Sequence, residues 1–323
     1  MMNRNRFAKK LSYIVTKQKA FIAIIIILIA MIFVKSNFYT AYNLFDMVNS
    51  ATINMIVAFG ITMVIIAQGI DLSVGGTLAV AGITVIKLIN SGLPTWLAII
   101  CAVLVGAVIG VINGYFVVYR KKEPFIITLA MGIILTGLAM QITDAHPISP
   151  TNMKFMMIGN GKVILGVPNL VVIMLIVFAI TYSLLRYTQF GRNCYAIGGD
   201  YEVAEYSGIN VKLIKASTYV LCGVLTALAG VLLSSKLNSG SSTYGSLTAL
   251  TVISSVVVGG TSLAGGVGGI PQTGIGLLLI AIIQNVMNML GVAPYVQYLV
   301  TGMVIVLVIS LDSYSRKRKR EAV

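Results

Sequence analysis

Asp71, in the run AQGIDLSVGG, is the one acid deep inside an apolar stretch of this sequence. An ionisable group among apolar neighbours is costly and is by default a functional candidate. Its setting also allows a simpler role. Gly69, Gly75 and Gly76 suggest interrupted backbone, and Asp71 with Ser73 can cap a helix expected to begin near Leu72. Neutral amides form a second set inside apolar runs: Asn54, Asn113, Gln284, Asn285 and Asn288, with Gln68 beside the break. Gln284 and Asn288 are four apart, on one helical face. Such amides either bond between helices or line a path for an uncharged, hydroxylated solute, which needs dipoles rather than fixed charges. Asn54, Gln68, Asp71, Ser73, Asn113, Gln284, Asn285 and Asn288 are therefore the candidate substrate-pathway residues.

Other chemistry is excluded by motif. The chain has no G-x-x-x-x-G-K-[ST], so it carries no P-loop of its own, and it has neither H-E-x-x-H nor G-x-S-x-G. The single histidine, His146, falls in a loop. Cys101, Cys194 and Cys222 are scattered and odd in number, which gives neither a disulfide framework nor a metal site.

The elements that would hold these residues are membrane helices. The 323 residues are 58% hydrophobic and 10% charged, with mean hydropathy +0.95, whereas a soluble domain is about 45–50% apolar and about 25% charged. The net charge of +14 could suggest nucleic acid, but the basic residues cluster at the two ends and in two internal loops beside apolar runs, as the positive-inside rule expects. The reading is an all-α polytopic membrane protein of about ten helices, some broken or re-entrant. The spans run near Ala20–Val34, Val48–Gln68, Leu72–Ile89, Trp96–Tyr119, Phe125–Ile142, Val167–Leu185, Leu213–Ser235, Leu247–Ser262, Ile270–Leu290 and Tyr295–Leu311. The first reads as an uncleaved helix, because no small-x-small cleavage site follows it. With both termini cytoplasmic, 18 of the 23 basic residues fall inside. This divides the chain into a basic N-terminal segment (1–19), one transmembrane domain (20–311) and a basic tail (312–323).

Ala102, Gly106, Gly110 and Gly114, spaced by four, mark a face for close helix packing. The glycine-rich run Val256–Gly274 forbids a continuous helix and allows a tight inner turn or a close approach between subunits. Thr143–Gly166 reads as an outer loop with a short interfacial piece near Phe155–Ile158. Spans two to five and seven to ten are candidates for an inverted repeat.

The longest polar island, Arg186–Lys215, holds three of the nine acids (Asp200, Glu202, Glu205) between apolar runs, and charge counting places it in the cytoplasm as a docking element. Four segments then bring a family to mind: GIDLSVGGTLA (Gly69–Ala79), PFIITLA (Pro124–Ala130), FGRNCYAIGGDYEVAEYSGINV (Phe190–Val211) and VVVGGTSLAGGVG (Val256–Gly268). In order and spacing the sequence resembles the permease subunits of ribose-type monosaccharide ABC importers, within the ribose/galactose/branched-chain amino acid permease group. The resemblance implies a plasma-membrane protein that carries no cofactor, with ATP and magnesium bound by a tandem ABC ATPase partner. It also implies an extracytoplasmic sugar-binding protein and a second copy of the permease or a paralogue. It makes Phe190–Val211 the coupling loop, with Glu202, Ala204, Gly208, Ile209 and Arg192 as ATPase-coupling residues.

Two departures from the family pattern stand out. Ala249, Leu250 and Thr251 occupy positions where relatives carry an acid–Leu–acid set, and Tyr201 stands where relatives often have Glu. The alternative reading is a proton-coupled secondary transporter, for which Asp71 is the buried acid available. The sequence leaves the solute open among pentoses, hexoses, autoinducer-2-like furanoses and nucleosides.

Overall fold

The computed structural model describes residues 19–163, 166–303 and 306, and among these the architecture is helical, with two isolated β-bridges and no strand. In chain order the helices are α1 (Lys19–Val34), α2 (Ala41–Ile66), α3 (Val74–Asn90), α4 (Thr95–Gly114), α5 (Pro124–Thr143), α6 (Met156–Asn160), α7 (Asn169–Tyr187), α8 (Gln189–Gly199), α9 (Tyr201–Tyr206), α10 (Val211–Leu237), α11 (Thr248–Val258) and α12 (Ile270–Met289). A π-helical turn, Tyr115–Tyr119, continues α4. Residues 294–303 are also helical. Among the described residues six helices are long and apolar enough to cross a membrane: α2, α4 with its extension, α5, α7, α10 and α12. Helices α3 and α11, with 17 and 11 residues, reach only about 25 and about 16 Å against a hydrocarbon core of about 30 Å. These are the third and eighth expected spans, both of which are short of a full crossing. The far half of the tenth expected span and the basic segments at 1–18 and 312–323 lie outside the described residues.

Helix α10 is the centre of the bundle, packed on α2, α3 and α4. Asn210 starts it by accepting from Leu213 N at 3.1 Å, and Asn238 ends it in the left-handed region at φ +50°. Lipid tails are as apolar as leucine, so the α4–α10 crossing depends on close backbone approach rather than on burial from water. A Cβ on Gly106 would overlap the Gly223 carbonyl, and a Cβ on Gly223 would overlap that of Gly106. Gly110 meets Tyr219 and Val220, and Gly114 meets Ala216. The small-residue face read from the sequence is thus this crossing.

Two broken connections frame the bundle. Residues 67–73 join α2 to α3 without helix, and the glycine-rich segment 259–269 turns between α11 and α12. Both lie at the end of the bundle that carries α8 and α9, because Gly266 N donates to Ile66 O (3.0 Å) and Tyr195 Oη to Gly268 O (2.8 Å). At the opposite end the 143–163 segment caps α10. Ile148 pairs with Gly240, and Gly159 N donates to Ser235 Oγ at 2.8 Å. The short piece expected near Phe155–Ile158 is a 3-10 turn, Met153–Phe155, leading into α6.

Candidate functional site

At the α8–α9 end the polar island folds into two short helices. Asp200 caps α9 by accepting from Val203 N at 3.0 Å. Gly208 closes it at φ +80°, where it donates to Glu205 O (3.0 Å), and Ile209 N returns to Ala204 O (3.2 Å). The left-handed turn favours glycine and satisfies carbonyls that a helix end leaves free. Ala204 is buried against Ile197 and Val211, with Ile209 packed beside them. That anchoring turns the other face outward: Glu202 and Glu205 are exposed, as are Val203 at 60% and Tyr206 at 89%. An exposed valine and tyrosine therefore stand on a short, capped helix. Arg192 lies one helix earlier and donates Nη1 to Tyr187 O at 3.3 Å, facing a cleft beside α7 instead of α9's outward face.

The inner side of α8 is wedged against both broken connections. Gly198 leaves no room for a side chain, since a Cβ there would overlap Ile66 O and Gly266 N. Gln68, at φ +58°, donates Nε2 to Gly198 O at 3.2 Å, and its Cγ lies 2.5 Å from where a Cβ on Gly265 would stand. Gln68 therefore bonds at this junction, past the opposite end of α2 from its N-terminal turns. The interface is dry enough that burial pushes the Cys194 thiol up to about 12. The glycine-rich run forms a turn, and its close approach is to α8 of the same chain. Helix α8 thus contacts the end of α2 and the turn before α12 at once.

At the opposite end a small polar cavity of about 90 Å³ opens between α2, α11 and α12. Helix α2 contributes Asp46, Ser50 and Asn54, spaced by four on one face. Gln284, Asn285 and Asn288 enter from α12 and Thr251 from α11. The structure so brings together four of the amides predicted from sequence. Their roles differ. Asn285 exchanges two hydrogen bonds with Asn43 (3.1 and 2.9 Å), and Asn288 Oδ1 accepts from Gln297 Nε2 at 2.8 Å. Asn54 and Gln284 make no side-chain hydrogen bond to another described residue, which leaves their donors and acceptors for whatever enters. Asp46 is exposed at the rim, where Lys236 lies within its electrostatic reach and donates Nζ to Asn49 O at 3.4 Å.

Asp71, Ser73 and Asn113 form a separate buried network. Asp71, 2% exposed, accepts at Oδ1 from Ser73 N (2.9 Å) and Ser73 Oγ (2.6 Å), and Asn113 Nδ2 donates to Ser73 Oγ at 2.8 Å. Helix α3 begins at Val74, two residues later than expected, and the carboxylate holds its entry turn together. Tyr219 Oη donates to Ile70 O (3.4 Å) and Thr128 Oγ1 accepts from Leu72 N (3.0 Å), so other backbone polar groups of the break are satisfied inside protein. None of the three lines the cavity.

Sequence reading passed over Asp46, Ser50 and Thr251 in the cavity and Tyr195 and Gly198 at the junction. The spacing of 46, 50 and 54 was a visible signal on one helix. Nothing local pairs that face with α12.

Among the described residues the chain is a helical bundle with six helices long and apolar enough to cross a membrane, shorter apolar helices, a polar cavity and a short capped helix. Residues 43–309 match the family described as branched-chain amino acid transport system / permease component, and the chain belongs to that family. The ribose import permease protein of Haemophilus influenzae is 38% identical over 307 residues, covering 94% of this chain and 95% of that protein. The ribose import permease protein of Bacillus subtilis is 41% identical over 301 residues, 93% of each chain. The xylose transport system permease protein of Escherichia coli is 30% identical over 87% of each. The chain is thus a multi-pass plasma-membrane permease similar to ribose-type importers, and its relatives are transport proteins rather than enzymes. No solved structure matches it.

Proposed function

We propose that this chain is the transmembrane permease of an ATP-driven importer for a small sugar or sugar-like solute, worked through α9 by a partner ATPase. The observation that carries the reading is the α8–α9 element: capped at Asp200, closed at Gly208, exposing Glu202, Val203, Glu205 and Tyr206, and wedged by Gly198 against both broken connections. A rigid element in that position converts movement by a partner into displacement of α2 and α12, which line the cavity. The partner ATPase binds ATP and magnesium, an extracytoplasmic binding protein delivers the solute, and a second permease copy or paralogue completes the pathway. The unpaired amides Asn54 and Gln284 suit hydroxyl groups. Sugar import by the ribose, galactose and xylose relatives agrees with that chemistry.

The same reading takes ten spans, with α8–α9 and both termini cytoplasmic. An inverted repeat fits the packing. Exchanging α2 with α10, α3 with α11 and α4 with α12 maps the packed pairs α4–α10, α3–α10 and α3–α4 onto α12–α2, α11–α2 and α11–α12, all of which are in contact. The proton-coupled alternative rests on Asp71, whose carboxylate is held in the α3 entry turn away from the cavity. Proline at Gly208 cannot adopt φ +80° and removes the N–H bonded to Glu205 O. Gly208→Pro, or a flexible linker in place of Glu202–Gly208, is expected to abolish ATP-driven solute uptake while membrane insertion stays normal. Normal uptake in either variant would sink the assignment.

A further inference from the structure

A cleft of about 490 Å³ lies between the end of α7, α8 and the start of α12, apart from the cavity and from α9's outward face. Arg186 and Arg192 line it, together with Tyr182, Tyr195 and Gln272, and no acidic residue does. Arg192 is oriented by its bond to Tyr187 O, which leaves most of its guanidinium donors free. Ile270 and Gln272 bring the start of α12 to the floor, where their two N–H groups have no partner within the helix and Pro271 between them carries none. An apolar stripe leads into the cleft along α7: Leu175, 54% exposed, then Ala179, Tyr182 and Arg186 at helical spacing. We propose that this cleft binds the phosphate of an anionic phospholipid, with the headgroup between Arg186 and Arg192 and an acyl chain along the α7 stripe. Two cations over a helix start select a phosphate, and the continuous apolar track selects a lipid over a free anion. The Tyr195 hydroxyl that closes one wall is bonded to Gly268 O, so an occupied cleft braces the contact between α8 and the turn before α12.

The proposal rests on the inner-leaflet placement of this end given under Proposed function, but its test does not require transport. Full-length permease in neutral detergent is titrated with phosphatidylglycerol, phosphatidylcholine or inorganic phosphate, with thermal unfolding and native mass spectrometry as readouts. Phosphatidylglycerol is expected to raise the Tm and to appear as retained lipid, with the other two doing neither. Each arginine near an anionic lipid surface contributes on the order of five-fold in affinity, so R186Q/R192Q is expected to weaken binding about thirty-fold. Arg120→Gln, a basic loop residue outside the cleft, should leave it unchanged. If R186Q/R192Q does not fold, R186K/R192K takes its place and should keep the preference for phosphatidylglycerol. Equal protection by phosphatidylcholine, protection by inorganic phosphate alone, or an equal loss in Arg120→Gln overturns the proposal. So does protection only by an added acidic peptide, which would make the cleft a protein contact.

Discussion

Replacing Gly198 by alanine forces a methyl group into the Ile66 carbonyl and the Gly266 amide, both of them backbone. Relief requires α8 to back away by on the order of 1 Å, since neither neighbour is a flexible side chain. Two hydrogen bonds tie α8 across the gap: Gln68 Nε2 to Gly198 O at 3.2 Å and Tyr195 Oη to Gly268 O at 2.8 Å. Overpacking costs about 1–3 kcal/mol and each weakened bond about 1 kcal/mol, so Gly198→Ala should cost roughly 3–5 kcal/mol at this junction. The expected result is a permease that inserts and binds its ATPase through α9, yet transports little because α8 no longer grips α2 and the 259–269 turn. The neighbouring residue supplies the control. A Cβ on Gly199 meets nothing within 4 Å, so Gly199→Ala should change stability by less than about 0.5 kcal/mol. The assay is ATP-driven uptake in proteoliposomes of the sugar carried by the binding protein, alongside Tm and the ATPase rate stimulated by that protein. Wild-type Tm and uptake in Gly198→Ala, or an equal loss in Gly199→Ala, would refute the wedge.

Other substitutions probe the remaining parts. Gly223→Leu at the α4–α10 crossing overlaps the Gly106 carbonyl and should leave little folded, monodisperse permease by fluorescence size-exclusion chromatography. Asp71→Ala removes two hydrogen bonds from Ser73 and should lower stability by about 2–3 kcal/mol, read as a lower Tm, whereas Asp71→Asn keeps an oxygen that accepts from Ser73 and should retain ATP-driven uptake. Asn54→Ala and Gln284→Ala each remove an amide facing the cavity. Each should raise the half-saturation concentration for uptake by about two- to ten-fold, with folding unchanged by Tm.

The features legible in the sequence were those carried by local period or by backbone chemistry. Ala102, Gly106, Gly110 and Gly114 share one helical face, so their part in a crossing could be read directly. Gly208 could be read as the end of a short helix, because a left-handed residue favours glycine. Ten spans were drawn from hydropathy, and helices lie at each within the described residues, although α2 begins seven residues before its apolar run because Thr40 caps it. What was not legible depended on which helix meets which. Gln68 sits three residues from Asp71 in the chain, yet its left-handed backbone turns it to Gly198, 130 residues away. Asp46 and Ser50 lie at the edge of an apolar run and resemble ordinary surface. They become part of a cavity only through α12, more than 200 residues on. Thr251, noted first as a departure from a family pattern, proves to line that cavity, while Leu250 beside it faces outward.

The most direct test of the account is uptake, into proteoliposomes that contain the permease, its ATPase and its binding protein, of the sugar that binding protein carries, with and without ATP and a protonophore. ATP-dependent uptake that the protonophore leaves intact, and that disappears with Gly208→Pro, is the predicted result. Uptake that proceeds without the ATPase and collapses on adding the protonophore would contradict it.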